Sequence, residues 1–433
     1  MTRGDTRLGR LAIAGAVAAC ALVAWCAGAL ARPGALDGSF GKHGKVAVDF
    51  GGSDGFGADV AVAPDGDVIL AGETSNVPNP ADQGEGYAVA ALDATGSLDN
   101  SFSGDGRAVV QVGPKAQPEA VAVQPDGKVL VAGAGGSTRQ MTVIRLTKDG
   151  NLDDSFGTGG IASFNVGIGG SYAFDLTVQK DGKIVVVGKA SGPEQGVEHT
   201  DLGIARLNPD GTLDDTFSDD GVTTLSFGGV DYARAVAVTP HGKIVIAGQG
   251  GSNGSQMIAT RLLPDGAIDR HFGSKGRVTV RFRKHGDASS GAFALALQKN
   301  GDAVLEGYAG VAGDSVNEIG VARLLANGRL DHSFGGDGRQ LVGFPGGAEG
   351  HGVAVEKDGR IDVGGFATDD LAVARLQANG SPDHAFGSRG KKTLDFGGTE
   401  SGGELALSAG GRIVVAGETT KGSNFVGAEL KSR

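Results

Sequence analysis

From Ala235 to Gly248 the chain reads AVAVTPHGKIVIAG: an apolar run, a tight turn, and a second apolar run. Two β-branched stretches joined by a turn of this kind predict a β-hairpin, because Pro and Gly supply the backbone angles that reverse the chain. The same arrangement returns six more times, with turns at Pro64-Asp65-Gly66, Pro125-Asp126-Gly127, Lys180-Asp181-Gly182, Lys299-Asn300-Gly301, Lys357-Asp358-Gly359 and Ala409-Gly410-Gly411. The hairpin strands are apolar at nearly every position, as expected when neighbours cover both faces of a sheet. A third strand follows each hairpin, as in LGIARLN from Leu202, and then a fourth, as in VTTLSF from Val222.

Between the third and fourth strands lies a second recurring element, GTLDDTFSDDG at Gly211 in its fourth copy. Its seven phenylalanines are Phe40, Phe102, Phe156, Phe217, Phe272, Phe334 and Phe386, spaced by 62, 54, 61, 55, 62 and 52 residues. A Gly six positions before each Phe, an Asp three before and a Gly four after never vary. One four-stranded unit fits that period, and seven such units predict an all-β fold, a seven-bladed β-propeller of antiparallel blades. With the hairpin's first strand innermost, residues 45–50 form a fourth strand without a blade, while the last blade has only three strands, near residues 405–407, 413–416 and 425–430. The N-terminal strand therefore closes the last blade, joining the chain ends by strand pairing and leaving fewer open edges.

Composition agrees with short strands and tight turns: of 433 residues 79 are Gly, and aromatics make up 5%. The first 31 residues differ. Arg3, Arg7 and Arg10 precede an apolar run from Leu11 to Leu30 ending in Ala29-Leu30-Ala31, which reads as a signal peptide with a cleavage site before Arg32. The run is also long enough to remain as an uncleaved membrane anchor. Either way residues 32–433 form a single propeller domain on the extracytoplasmic side, secreted or at the cell surface, with the membrane touched only through the N-terminal segment. Cys20, Cys26 and Trp25 all lie inside that segment. The domain therefore has no disulfide and no thiolate chemistry, and packing must hold it together. Residues 1–31 carry a net charge of +2, so their loss takes the chain from −11 to −13, a balance that disfavours nucleic acid as a partner.

The motif pair LDxSFGxxG and AVAVQPDGKIVVAG resembles the delta-60 repeat family of β-propellers of bacterial secreted and surface proteins, over residues 34–430, and its layout is similar to NHL-type propellers. The resemblance implies architecture and no activity, so no site residue follows from it. The chain departs from the pattern at Ile268, His271 and the segment QKNGDAVLEG, and at Pro382 and Ala385, where strand pairing is expected to be weakest.

The seven aspartates Asp37, Asp99, Asp153, Asp214, Asp269, Asp331 and Asp383 read as turn caps that accept backbone N–H groups. Calcium is the minor alternative, best at the fourth copy with Asp219 and Asp220, because calcium wants six to eight oxygens. Other copies place Lys42 and His43, Ser274 and Lys275, or Ser388 and Arg389 there. No cofactor is expected. The phenylalanines read as inter-blade core. A site is expected where the repeat is broken, on the face formed by the loops after VVAG and after DFGG. The long segments there span residues 73–87, 189–201, 283–291 and 308–318. Their densest ionisable group is Glu194, Glu198, His199 and Asp201; His285 with Asp287, and Glu349 with His351, are weaker groupings read as solvated. No catalytic or metal-ligand set emerges, since neither a zinc motif nor a nucleophile motif occurs.

Two functions stay open. The leading one is a non-enzymatic monomeric scaffold that binds a protein or glycan through the variable face, since variable loops on a rigid frame suit recognition. The alternative is an extracytoplasmic polysaccharide lyase or hydrolase with acidic groups at the channel mouth, with Tyr87, Tyr172, Tyr232 and Tyr308 as sugar platforms.

Overall fold

In the computed structural model the residues described are 32–51, 55–75, 85–191, 200–251, 255–282, 289–310, 316–422 and 424–433. The N-terminal segment of residues 1–31 lies outside them. Every blade is a four-stranded antiparallel sheet, and seven such sheets follow one another along the chain. Blade one comprises Gly55–Val62, Val68–Thr74, Gly86–Leu92 and Arg107–Val110. Blades two to six begin at Gln117, Ser171, Tyr232, Ser290 and Ala348, and blade seven at Glu400. The first strands pack against one another from blade one round to blade seven and back, so they form the inner ring around a central channel.

Closure follows the expected phase. Lys45–Val48 pairs antiparallel with Asn424–Leu430, in register from Lys45 opposite Ala428 to Val48 opposite Phe425, and so supplies the fourth strand of blade seven. Strand pairing in the two divergent stretches is as regular as elsewhere: Ala303–Gly310 pairs along its whole length with Asn317–Leu324, and Asp370–Leu376 keeps its partners on both sides.

The second and third strands are the most thoroughly covered, as the near-continuous apolar runs require; Ile244–Gly250 and Gln256–Leu262 are each buried at all but one position. Each recurring phenylalanine is at most 2% exposed and packs between its own blade and the next, Phe156 against Leu176, Ile184 and Val186 among others. Burying one such ring contributes about 2–3 kcal/mol. The fixed glycine six residues before each Phe explains itself at Gly211, which has φ +87° and sits on the previous blade's motif. A Cβ there would lie 2.8 Å from the Gly157 nitrogen and 2.9 Å from the Phe156 ring.

Candidate functional site in the central channel

Two rings of polar side chains are built into the seven-fold frame. The outer ring lies at the joints between third and fourth strands. In all seven copies Oδ1 of the fixed aspartate accepts the N–H of the residue two positions on, as the capping reading expects. The sequence reading missed the partner of the other oxygen. In five copies an arginine eight residues earlier, Arg145, Arg206, Arg261, Arg323 or Arg375, donates Nε to it, at 2.5–2.9 Å. The same guanidinium lies over the motif phenylalanine and donates to a backbone carbonyl of the next motif, as Arg206 does to Pro264. Lys183 adds a second cation to Asp214, at 2.7 Å. These contacts hold Asp153, Asp214, Asp269 and Asp331 below the usual carboxylate range, with Asp269 pulled down to about 2 although burial opposes the shift. The structure thus gives Asp214 two cations as neighbours, while Asp210 and Asp220 cap the N–H groups of Thr212 and Val222.

The inner ring varies from blade to blade. Each innermost strand carries a β-bulge in its middle, between Gly57 and Asp59 in blade one and at the matching place in the other six. A bulge inserts one unpaired residue and re-aims its side chain. The inserted residues are Ala58, Glu119, Phe174, Arg234, Phe293, His351 and Gly403, and five of them line two overlapping cavities of about 160 and 350 Å³ in the channel. Cavities of this size fall at or below the small end of the range for ligand pockets.

One side of the channel is aromatic and cationic. The Arg234 guanidinium lies 4.0 Å from the centre of the Phe174 ring, 5.3 Å from Phe293 and 5.4 Å from Tyr232. Phe293 stacks on His351 at 5.0 Å, and His351 meets Phe366 at 5.6 Å. The Tyr172 hydroxyl donates to Glu119 at 2.5 Å. The other side is small and acidic, with Gly57, Ser401, Gly402, Glu404 and Glu418, and Ser401 donates its hydroxyl to Glu418.

Deeper in the channel Asp59 and Asp175 play equivalent parts two blades apart. Each accepts its own strand's next N–H and an N–H of the following blade, Val121 at 2.8 Å for Asp59 and Val236 at 2.6 Å for Asp175. Burial outweighs these hydrogen bonds, raising Asp59 to about 7 and Asp175 to about 8. Glu404 is driven well above the carboxylate range by burial, with Asp59 and Asp175 adding repulsion. Burial also lowers His351 to about 4, helped by the Arg234 charge, so the imidazole is neutral at pH 7. The channel therefore offers carboxyl groups that desolvation shifts towards the protonated, hydrogen-bond-donating form, a neutral imidazole, a guanidinium and ring faces.

Glu194, Glu198, His199, His285 and Asp287 lie outside the described residues. Asp201 sits at the start of the third strand of blade three, opposite Ala190. Glu349 and His351 require correction: they are not solvated loop groups but lie on the innermost strand of blade six, with His351 in the channel wall. Tyr172 and Tyr232 adjoin the aromatic wall, and Tyr308 lies 5.6 Å from Phe293. Tyr87 is no sugar platform; it is fully buried, its hydroxyl on the carbonyls of Ala134 and Thr142. The channel had a sequence signal: the first strands share small and β-branched residues on either side of one position that holds Glu, Phe, Arg, Phe and His in blades two to six. Bulges, which turn that position inward, are not written in the hydrophobic pattern. Among the described residues one carboxylate trio with metal-like proximity exists elsewhere, Asp370, Asp395 and Glu400, where Glu400 already accepts from Thr419 and Gly398.

The "Domain of unknown function (DUF5122) beta-propeller" family model matches residues 63–102, 124–156, 179–217, 239–272, 307–334 and 356–386, each match running from a hairpin region to a motif phenylalanine. No curated protein sequence matches. Among solved structures the chain is similar to the polysaccharide lyase Uly1, with 10% identity, coverage of 87% of this chain and 90% of that one, and a TM-score of 0.50. It is also similar to YCF48 bound to D1 peptide (11% identity, 91% and 97% covered, TM-score 0.49) and to virginiamycin B lyase from Staphylococcus aureus with quinupristin (11% identity, 89% and 99% covered, TM-score 0.46). At such identities the likeness concerns the fold. The repeat, the seven closed blades and the family match together make this chain a member of a β-propeller repeat family.

Proposed function

We propose that the protein is an exported binding scaffold, monomeric and extracytoplasmic, whose ligand enters the central channel from the variable-loop face, and that the ligand is a glycan. One observation carries this reading: a repeat that keeps Phe, Asp and Gly fixed at the joints of all seven copies varies the residue at the equivalent bulge, with Glu119, Phe174, Arg234, Phe293 and His351 in blades two to six. Architecture alone would favour the same filler in each blade. The aromatic faces of Phe293 and Phe366 suit the apolar face of a sugar ring, and the carboxyl groups opposite suit its hydroxyls. The test is a glycan array and pull-down with the full chain, repeated with Phe293→Ala. Binding that survives this substitution unchanged removes the channel from the reading.

An enzymatic reading has its own support. Asp59 and Asp175, raised to about 7 and 8, titrate where general acids and bases work, and His351 stands near them in the same channel. A lyase or hydrolase acting on polysaccharide would need such groups. Incubating the full chain with acidic and neutral polysaccharides, and following unsaturated products and reducing ends, separates the two: turnover abolished by Glu404→Gln supports the enzyme, and no turnover of any bound glycan supports the scaffold.

A further inference from the structure

Arg234 breaks a rule that the other motif-associated arginines keep. Each of the five joint arginines lies over a ring and also places its donors on a carboxylate and a carbonyl, as Arg375 does on Asp383 and Ser432. Arg234 lies among three rings yet its Nε has no hydrogen-bond partner, and among the described residues no carboxylate forms an ion pair with it. Glu119 feels its charge but accepts the Tyr172 hydroxyl instead. Stacking uses the face of a guanidinium and leaves the donors at its edge, which are set in a fork that matches a planar two-oxygen anion. Both channel cavities have this arginine in their walls. Leaving the buried Nε of this guanidinium without an acceptor is costly, so an occupant that supplies one is favoured over one that does not.

We infer that Arg234 is the specificity-determining residue of the channel and that it binds the carboxylate of a uronic-acid-containing saccharide. The inference rests on the channel being the ligand site and names the class of glycan it takes. The sugar's carboxylate meets the fork, its ring lies against the Phe293–His351–Phe366 band, and its hydroxyls face Ser401, Glu404 and Glu418. A neutral sugar can offer the fork a hydroxyl oxygen but no charged, planar two-oxygen partner. A sulfated sugar presents a tetrahedral rather than planar anion to the same fork.

The test titrates the full chain with oligoglucuronates and oligogalacturonates, with the carboxyl-reduced form of each, and with a sulfated neutral oligosaccharide. The expected result is binding of at least one acidic oligosaccharide about tenfold or more tighter than its reduced form, the discrimination expected of charge-assisted hydrogen bonds. Arg234→Met should erase that preference, Arg234→Lys should restore part of it, and Arg329→Met, at an exposed turn, should leave it intact. The melting temperature of each variant is measured alongside, and the acid-against-reduced comparison on the unaltered chain needs no variant at all. Equal binding of acidic and reduced forms, or preference for the sulfated sugar, overturns the uronate assignment while leaving a glycan-binding channel standing. Acid preference that persists in folded Arg234→Met overturns the role of the arginine. No binding of any saccharide overturns both the assignment and the glycan reading beneath it.

Discussion

The joints and the channel are built by the same repeat, and both are rich in carboxylates, yet they treat charge in opposite ways. At a joint such as Asp214 the carboxylate is met by Arg206, Lys183 and two donors of Thr216, all of which stabilise its charged form. In the channel Asp59, Asp175 and Glu404 are half-buried with few or no cations beside them, and their desolvation favours the neutral forms. A position that must look the same in every blade is one the architecture needs. A position released from the repeat, and left with its polar groups poorly matched, is where a ligand has something to offer.

The largest effect should come from breaking a joint. Asp214→Ala leaves the buried Arg206 without its carboxylate, and removing one member of a buried pair costs about 3–5 kcal/mol. Chemical denaturation should register a loss of that order. A loss below about 1 kcal/mol, the range of exposed pairs, would mean that the joints are decoration and the comparison fails.

Next in size is the pH dependence, where the two rings pull in opposite directions. The channel carboxyls bind protons more tightly folded than unfolded, so raising the pH from about 4, where unfolded carboxylates ionise, to about 8 favours the unfolded chain. Each such group lowers stability by up to about 1.4 kcal/mol per pH unit across that window, and for Asp59 and Asp175 nothing further is lost above about pH 8. Glu306, which has no partner for either oxygen and presses against Gly350 in blade six, acts in the same sense. The joint carboxylates Asp153, Asp214, Asp269 and Asp331 do the reverse: their contribution is complete above about pH 4 and disappears as the pH falls through their depressed folded values, about 2 for Asp269. A melting-temperature profile should therefore peak on the acid side of neutrality and decline towards pH 8. Glu404→Gln should match the parent near pH 4 and melt higher than it at pH 8. A parent profile flat between these values would contradict the neutral channel.

What could be read in advance divides along the same line. The joints were legible because repetition exposes them: seven copies of Phe and Asp at fixed spacing name an inter-blade core and a cap, and both stand in the structure. The arginine eight residues before the Asp has the same regularity, at Arg145, Arg206, Arg261, Arg323 and Arg375, but its partner is visible only once the third strand and the motif fold back on each other. The channel was harder to see. Its residues sit within apolar strands, as Arg234 does in YARAVAV, and a strand's period-two alternation says nothing about a bulge that turns one residue aside. Gly350 and Gly352, which flank His351, hide its strand in the sequence, yet they lie where neighbouring chain comes close: a Cβ at Gly352 would meet the Leu405 nitrogen at 2.6 Å.

A third test asks whether the channel can be altered without harming the frame. Phe293→Ala removes a half-buried ring from the inner wall, so it should cost less than the about 3–5 kcal/mol typical of a buried phenylalanine while lowering glycan affinity. Phe217→Ala, in the buried joint of blade three, should show the opposite balance, with the full stability loss. Calorimetric unfolding and binding titration of the same two variants measure both halves. Equal stability losses would erase the distinction between the rings.

The smallest effect tests the one joint, among the described residues, whose aspartate meets no cation. In blade one the arginine position is Ala91, and the position of Lys128, Lys183 and Lys243 is Asp67. Asp99 keeps its cap to Ser101 but gains no cation, and Asp67 is raised to about 6 by burial and by Asp65, Asp99 and Asp93 around it. Asp67→Lys converts this repulsion into the pairing seen at Asp153 and Asp214, and because the site is partly exposed the gain should be only about 0.5–1 kcal/mol. The sign of its pH dependence is fixed. A raised folded pKa destabilises as the pH climbs from about 4 through 6, so the advantage of the lysine should be smallest below pH 4 and fully developed at pH 7. Denaturation at the two pH values checks this, and an advantage that is larger in acid would place the strain of blade one somewhere other than its missing cation.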